Sequence, residues 1–421
     1  MHYDVERVRA NFPGLARTKN GRPVAFLDNP AGTQVARSVT ERMVEVMLHA
    51  NANLGGAFDT SIEAGAIVDA AHRAGEIFVN ARHPGEVFFG QSMTALTFAM
   101  SRSIGASFRE GDEIILSRMD HDANVAPWLM LAEDRGLVVR WLDFSPDTFE
   151  FDLHDLRALL TDRTRLVAIC FASNVTGTIN DVAAIARIAH AAGALVYVDA
   201  VQYAPHGLID VRAIDCDFLV CSAYKFFGPH YGLFWGRKEL LETLRAYKVR
   251  AASDALPWRF STGTTSRETL AGIHGAIDYI AGVGDMFGSL PANTATDLRT
   301  RLAAAFDAMK AYDDMLARRL VDGLHGLNGV RILGITDPAA FDRRVSTITL
   351  VADGMASADI AASLAAEGIQ VWDGHNYGLE PNRRLGILDS GGGVRIGPVH
   401  YNTVGEIDRV VESLHRLLRD A

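Results

Sequence analysis

Cysteine is scarce in this chain. Its three residues, Cys170, Cys216 and Cys221, exclude a disulfide framework, and two of them sit in apolar runs that read as inert buried strands. Positive charge is not in excess either: 41 Lys and Arg face 51 Asp and Glu, a formal net charge of −10, whereas a nucleic-acid binder shows a basic footprint. No window approaches the roughly 18 uncharged apolar residues of a membrane span. Residues 1–7 lack the apolar core of a signal peptide, so a cytoplasmic location is expected. There is no G-x-G-x-x-G and no G-K-[ST] motif, which removes support for a nicotinamide dehydrogenase or a triphosphate site. No internal repeat or low-complexity tract is present.

What remains is ordinary for a globular enzyme. Hydrophobic residues make up 48% of the 421, enough for two core-bearing domains or one large domain with a smaller one attached. Strands are expected at 24–28, 87–89, 113–116, 138–142, 166–171, 195–199 and 218–221. Helices are expected at 38–50 and 61–80, and several more fall between the later strands. That rhythm is the βαβ signature of a mostly parallel sheet flanked by helices, an α/β fold. Continuous apolar runs such as Leu166-Val167-Ala168-Ile169-Cys170-Phe171 suit a sheet covered on both faces. Near residue 285 the pattern changes. A long helix over 293–324 leads to strands at 329–333, 345–351 and 394–396, with a helix across 357–367. The closing helix opens with a capping box, Thr403-Val404-Gly405-Glu406. The expected division is 1–20 as a leader packing with the small domain, 21–285 as the large domain and 286–421 as the small one.

The chemistry-bearing residues fall just beyond strands. Lys225 follows Phe218-Leu219-Val220-Cys221, between aromatics and ahead of Gly228-Pro229. It is either a strand-end lysine snorkelling to water or a desolvated amine able to form a Schiff base. Asp199 ends another apolar strand, with Gln202 three positions on; a carboxylate there sits where open α/β sheets bind ligands. A Schiff-base lysine with an acid for a pyridinium nitrogen is what proteins contribute to pyridoxal phosphate chemistry. Ser92 and Met93 open a helix whose free N–H groups suit a phosphate, or Ser92 is an ordinary N-cap. His121 and Asn174 end two further strands. His121 and Asp122 lack companions at metal-ligand spacing.

These stretches resemble a known family. Asp120-His121-Asp122-Ala123-Asn124-Val125-Ala126-Pro127-Trp128, Ser173-Asn174-Val175-Thr176-Gly177-Thr178, Asp199-Ala200-Val201-Gln202 and Ser222-Ala223-Tyr224-Lys225 are similar, in this order, to the cysteine desulfurase and selenocysteine lyase group of class V aminotransferase-like enzymes. The resemblance runs from Leu27-Asp28 to Tyr401-Asn402-Thr403 and implies fold type I with a smaller α+β C-terminal domain. It also implies a homodimer with active sites at the interface and an amino-acid substrate. By it, Lys225 carries pyridoxal phosphate, His121 stacks on the ring, Asp199 binds the ring nitrogen and Gln202 the phenolic oxygen. Ser92, Met93, Ser222 and Tyr224 hold the phosphate, joined by Thr264 from the other subunit. Asn174 contacts cofactor and substrate, and Arg395, with Ala31 and Gly32, receives the substrate carboxylate.

Two departures stand out. The family's Gly-His-His-Cys stretch is Gly374-His375-Asn376-Tyr377 here, so the persulfide-carrying thiol is replaced by Tyr377. The family's Asn-Val-His-Arg-Gly loop is Asn53-Leu54-Gly55-Gly56-Ala57. The expectation is elimination or carbon–sulfur lyase chemistry without a persulfide relay, with Tyr377 as an acid or as filling. An aminotransferase or epimerase is the alternative, and a non-catalytic binding module is the rival of another class. Side-chain specificity is expected from Tyr377, residues 53–58 and the segment Trp258–Phe260.

Overall fold

Val167, Ile169, Val196, Val198, Leu219 and Cys221 enter one hydrophobic core, while Leu166, Ala168, Tyr197, Phe218 and Val220 enter another. Strand geometry sends successive side chains to opposite faces. Because helices cover both faces here, the strands read as unbroken apolar runs. The structure, a computed structural model, describes residues 3–290 and 296–419. Its central sheet has the order Val87–Gly90, Gly232–Gly236, Phe218–Ser222, Leu195–Asp199, Thr164–Cys170, Glu113–Ser117, Val138–Leu142. Neighbours run parallel except Gly232–Gly236, which is antiparallel to both strands beside it. The fold is α/β with a mostly parallel sheet, as expected.

Two well-buried elements escape the sequence pattern. Gly232–Gly236 is five buried residues between glycines, too short for a period to declare itself. The helix Arg267–Phe287 buries residues all round its circumference, so no single stripe marks it. Short pieces such as Lys238–Thr243, Leu379–Arg384 and Ile369–Gln370 are not expected either; several other differences are at ends. The strand expected at 166–171 runs Thr164–Cys170, and the helices expected at 38–50 and 61–80 are Arg37–His49 and Asp59–Val79. The long helix is Leu298–Leu324; its expected start at Asn293 lies outside the described residues, as do Met1 and His2.

The C-terminal part is a three-stranded antiparallel sheet, Val330–Leu333, Ile348–Ala352 and Val394–Ile396. It shares a core with Leu298–Leu324, Ser357–Ala366 and Val404–Arg419 through Leu320, Leu350, Leu364, Ile396 and Leu414. The expected capping box forms: Glu406 N–H donates to Thr403 Oγ1 at 3.1 Å, and Thr403 N–H to the Glu406 carboxylate at 2.9 Å.

Two strands come out shorter than expected because their ends are used in joining this part to the central sheet. Only Ala25–Phe26 forms a strand at 24–28, and it pairs in parallel with Ile369–Gln370. The strand expected at 345–351 starts at Ile348. Before it, Val345 N–H donates to the Gly177 carbonyl at 2.8 Å, and Thr347 Oγ1 accepts from Gln202 at 2.8 Å. The leader ties on too. Arg9 donates to the Tyr401 carbonyl at 2.8 Å, and the Phe12 ring packs edge-on against Phe227.

Candidate active site

Beyond the strand Phe218–Ser222 the chain makes one tight turn, Ala223–Lys225, and Phe226 and Phe227 dive into the core behind it. That anchoring turns the lysine into a cavity and not out to the protein surface, so the snorkelling alternative fails. Lys225 is 9% exposed, and its Nζ donates to the Pro30 carbonyl. Burial, helped by the Arg395 charge and opposed by Asp28 and Asp199, lowers its pKa to about 7. A large neutral fraction at physiological pH is what a nucleophilic amine needs.

Asp199 ends the adjacent parallel strand. One carboxylate oxygen accepts the Val201 N–H at 2.9 Å, and burial raises its pKa to about 6. Nearby Asp120 is raised to about 7 by burial, with Asp199 adding repulsion, although Ser117, Asn124 and the Cys170 N–H all donate to it. Asn124 in turn accepts from the Trp128 indole at 3.1 Å. This chain of bonds fixes the turn that carries His121. The His121 Nδ1 accepts the Ala123 N–H at 3.0 Å, so the ring proton sits on Nε2. Burial, then Lys225 and Arg395, push its pKa to about 3 and keep it neutral.

At the opposite wall, Arg395 is 4% exposed and lowered by burial to about 10. Its Nη1 donates to the Asn174 carbonyl at 3.2 Å, and Asp28 stands 3.9 Å away. Asp28 is raised to about 6, chiefly by burial. Arg395 Nε, Asn174 Oδ1, Asn376 Oδ1 and Asp28 Oδ1 are buried without hydrogen-bond partners among the described residues. Buried polar atoms are normally satisfied, so four orphans in one place mark where a polar ligand belongs.

Lys225, Asp199, His121, Asn174, Asn376 and Arg395 line a cavity of about 610 Å³. Of the sequence candidates, Ala31, Met93, His121, Asn174, Asp199, Gln202, Tyr224, Lys225, Tyr377 and Arg395 face it. Gly32, Ser92, Ser222 and Thr264 do not. Gly32 lies behind Tyr224, where a Cβ would sit 3.3 Å from the ring. Ser92 is the N-cap expected of it, its Oγ accepting the Ala95 N–H at 3.1 Å. Ser222 is buried at the strand end, and Thr264 lines a separate hollow with Gly90, Gln91 and Phe260.

Sequence reasoning missed Thr94, Phe98, Trp372 and Asn376, which also line the cavity. Phe98 was findable, four positions after Thr94 on one helix face. Asn376 and Tyr377 adopt left-handed backbones, φ 52° and 55°, and only Asn is a usual occupant of that region. The Tyr377 ring is 68% exposed and stacks on His121 with centroids 5.6 Å apart. All three cysteines are buried, and burial drives each thiol pKa well above its ordinary value.

The donor set fits pyridoxal phosphate. A buried lysine with no carboxylate paired to it among the described residues, an acid at the next strand end and orphaned polar atoms near Arg395 supply partners for its aldehyde, its ring nitrogen and a substrate. The helix Met93–Ile104 turns its N-terminus to the cavity, where first-turn N–H groups lack intrahelical acceptors and suit a phosphate.

Comparison with known proteins agrees. The model of the family described as aminotransferase class-V matches residues 25–410. A cysteine desulfurase of Dickeya dadantii is 32% identical over 433 residues, covering 99% of this chain and 98% of that one. An aminotransferase-like protein of Gibberella zeae is 32% identical over 432 residues, covering 99% of each chain. Among solved structures, the cysteine desulfurase CsdA of Escherichia coli, in its S-sulfonic acid form, superposes with a TM-score of 0.84 at 25% identity, covering 100% of this chain and 99% of that one. The apo cysteine desulfurase of Thermococcus onnurineus, at 24% identity over 100% and 99% of the two chains, shares the fold with a TM-score of 0.87.

Proposed function

The chain belongs to the class-V aminotransferase family, whose enzymes work with pyridoxal phosphate, and within it we propose an enzyme that eliminates a substituent from Cβ or Cγ of an α-amino acid. Carbon–sulfur cleavage without a cysteine-bound persulfide is the leading case. One observation carries this reading: the cavity holds a buried, readily neutral Lys225, while Cys170, the cysteine at its wall, is buried with its thiol pKa driven well above the ordinary value, and the loop offers Tyr377 instead. A persulfide relay needs an accessible thiolate.

When bound, pyridoxal phosphate supplies an electron sink for charge at the substrate's α-carbon. Lys225 would hold it, then take and return the α-proton at Nζ, a task suited to an amine with a pKa near the working pH. Asp199 would keep the ring nitrogen protonated, and Gln202 would donate to the phenolic oxygen. His121 would lie flat on the ring as a neutral imidazole. Met93 and Tyr224, which line the cavity, would hold the phosphate; Ser92 and Ser222, which the family resemblance adds, would have to turn their hydroxyls from the positions described above. The Arg395 fork matches a planar carboxylate, and Asn174, with the turn at Ala31 and Gly32, would fix its angle. Tyr377 would donate a proton to the departing group.

The reading includes a homodimer in the cytoplasm, with Thr264 reaching the phosphate bound to the partner subunit. Val44, Met47, Leu48, Phe58 and Ile62 are all more than half exposed, and so much apolar surface between residues 44 and 62 suits a second copy of the chain. It also keeps a division near residue 285, with the smaller unit built on the core around Leu320 and Leu350.

The test is to mix the cofactor-loaded protein with single amino acids, follow the cofactor absorbance and identify the products. Keto acid, ammonia and a free sulfur fragment are expected, without any added keto acid. The aminotransferase-like relative of Gibberella zeae supports transamination as the second reading, and amino-group exchange that requires a keto acid would establish it instead.

A further inference from the structure

Asp199 and Asp122 line the cavity and Asp28 stands just outside its lining, and these acids fall into two kinds. Asp28 stands beside Arg395, and Asp199 feels the charge of Lys225, so both have a cation of the protein's own. Asp122 has none. It lines the same cavity, half-buried, and among the described residues its carboxylate makes no ion pair or hydrogen bond. Its nearest acidic neighbour, Glu380, is paired with Arg118 and Arg383. The position of Asp122 is nonetheless fixed. Its N–H donates to the Tyr377 carbonyl at 2.7 Å, and the turn it opens is locked through His121 and Asn124.

Two aromatic rings share the cavity with it. Tyr377 is 68% exposed and Trp372 54% exposed. Trp372 is held by paired backbone bonds to Arg395, its N–H donating at 3.3 Å and its carbonyl accepting at 2.7 Å. A carboxylate without a lysine or arginine partner, beside open aromatic faces, is the combination that receives an organic cation, by charge and by cation–π attraction. Arg395 and Lys225 define the end where carboxylate and amine are handled; Asp122 is set apart from them, on the His121–Tyr377 side.

We propose that Asp122 selects amino acids whose side chain ends in a cation, an alkylammonium or guanidinium group, and that Trp372 and Tyr377 flank that group. The inference rests on the reading of Lys225 and Arg395 as the amino-acid end of the site. In an elimination the departing fragment carries the cation away.

The experiment titrates the cofactor-loaded protein by absorbance with L-arginine against its neutral isostere L-citrulline, L-lysine against L-norleucine, and L-glutamate as the anionic control. Each cationic member is expected to bind about tenfold tighter than its neutral partner, the scale of one well-placed charge contact. Asp122→Asn should bring that ratio close to one, Asp122→Glu should preserve it, and Asp122→Arg should shift preference to glutamate. A wild-type protein that binds neutral partners as tightly, a ratio that survives Asp122→Asn, or a dimer structure with a partner cation on Asp122 overturns the inference alone. If no amino acid of any charge changes the absorbance, the proposed function falls and this inference with it.

Discussion

Arg395 Nη1 donates to the main-chain carbonyl of Asn174 at 3.2 Å, joining the C-terminal sheet to the end of a central strand across 221 residues of sequence. That bond aims a guanidinium whose Nε is still unpartnered into the cavity. Arg395→Lys keeps the charge but loses the fork. It should raise KM for the amino acid about 30-fold or more, corresponding to about 2 kcal/mol of charge-assisted hydrogen bonding. Steady-state kinetics beside unchanged cofactor absorbance checks this; an unaltered KM would remove Arg395 from the carboxylate site.

Borohydride should fix pyridoxal phosphate to Lys225 and to no other lysine, since Lys225 is the amine that burial holds near pKa 7 inside the cavity. Peptide mass spectrometry of the reduced protein reads the site directly. Lys225→Ala should give a colourless protein with no adduct.

Asp199→Asn should weaken cofactor binding yet stabilise the cofactor-free chain. The sign follows from linkage. The folded pKa, about 6, lies above the unfolded 3.8, so the native state bears the cost of a buried charge above about pH 6 and none below about pH 4. The difference corresponds to about 3 kcal/mol at most. Thermal melts of apo wild type and variant should therefore diverge at pH 8 and converge near pH 4; equal melting at both ends would contradict this.

Iodoacetamide should leave the native protein unmodified and label Cys170, Cys216 and Cys221 only after unfolding, because burial keeps all three thiols protonated. With L-cysteine as substrate, sulfide should appear free in solution. A persulfide on any of the three that forms and decays with turnover would falsify the proposed chemistry.

Tyr377→Phe should keep the cofactor spectrum and KM while lowering kcat about tenfold or more, the range of one proton donor. The phenyl ring retains the stack on His121, 5.6 Å between centroids, so packing alone predicts no change in kcat.

The sequence by itself determined the βαβ order of the central strands, because buried parallel strands are written as local apolar runs such as Leu195–Asp199. It also determined that lysine, aspartate, histidine and asparagine stand just beyond strand ends, which parallel topology alone gathers along one edge of a sheet. The antiparallel strand Gly232–Gly236 and the helix Arg267–Phe287 were illegible, since a short run and an all-round buried helix carry no period. Tertiary structure alone decided that Lys225 is buried rather than snorkelling, for its pKa reflects neighbours drawn from residues 28, 199 and 395. The same holds for Asp122. Its sequence neighbours reveal a turn, whereas its lack of a lysine or arginine partner becomes visible only once the elements around the cavity are in place.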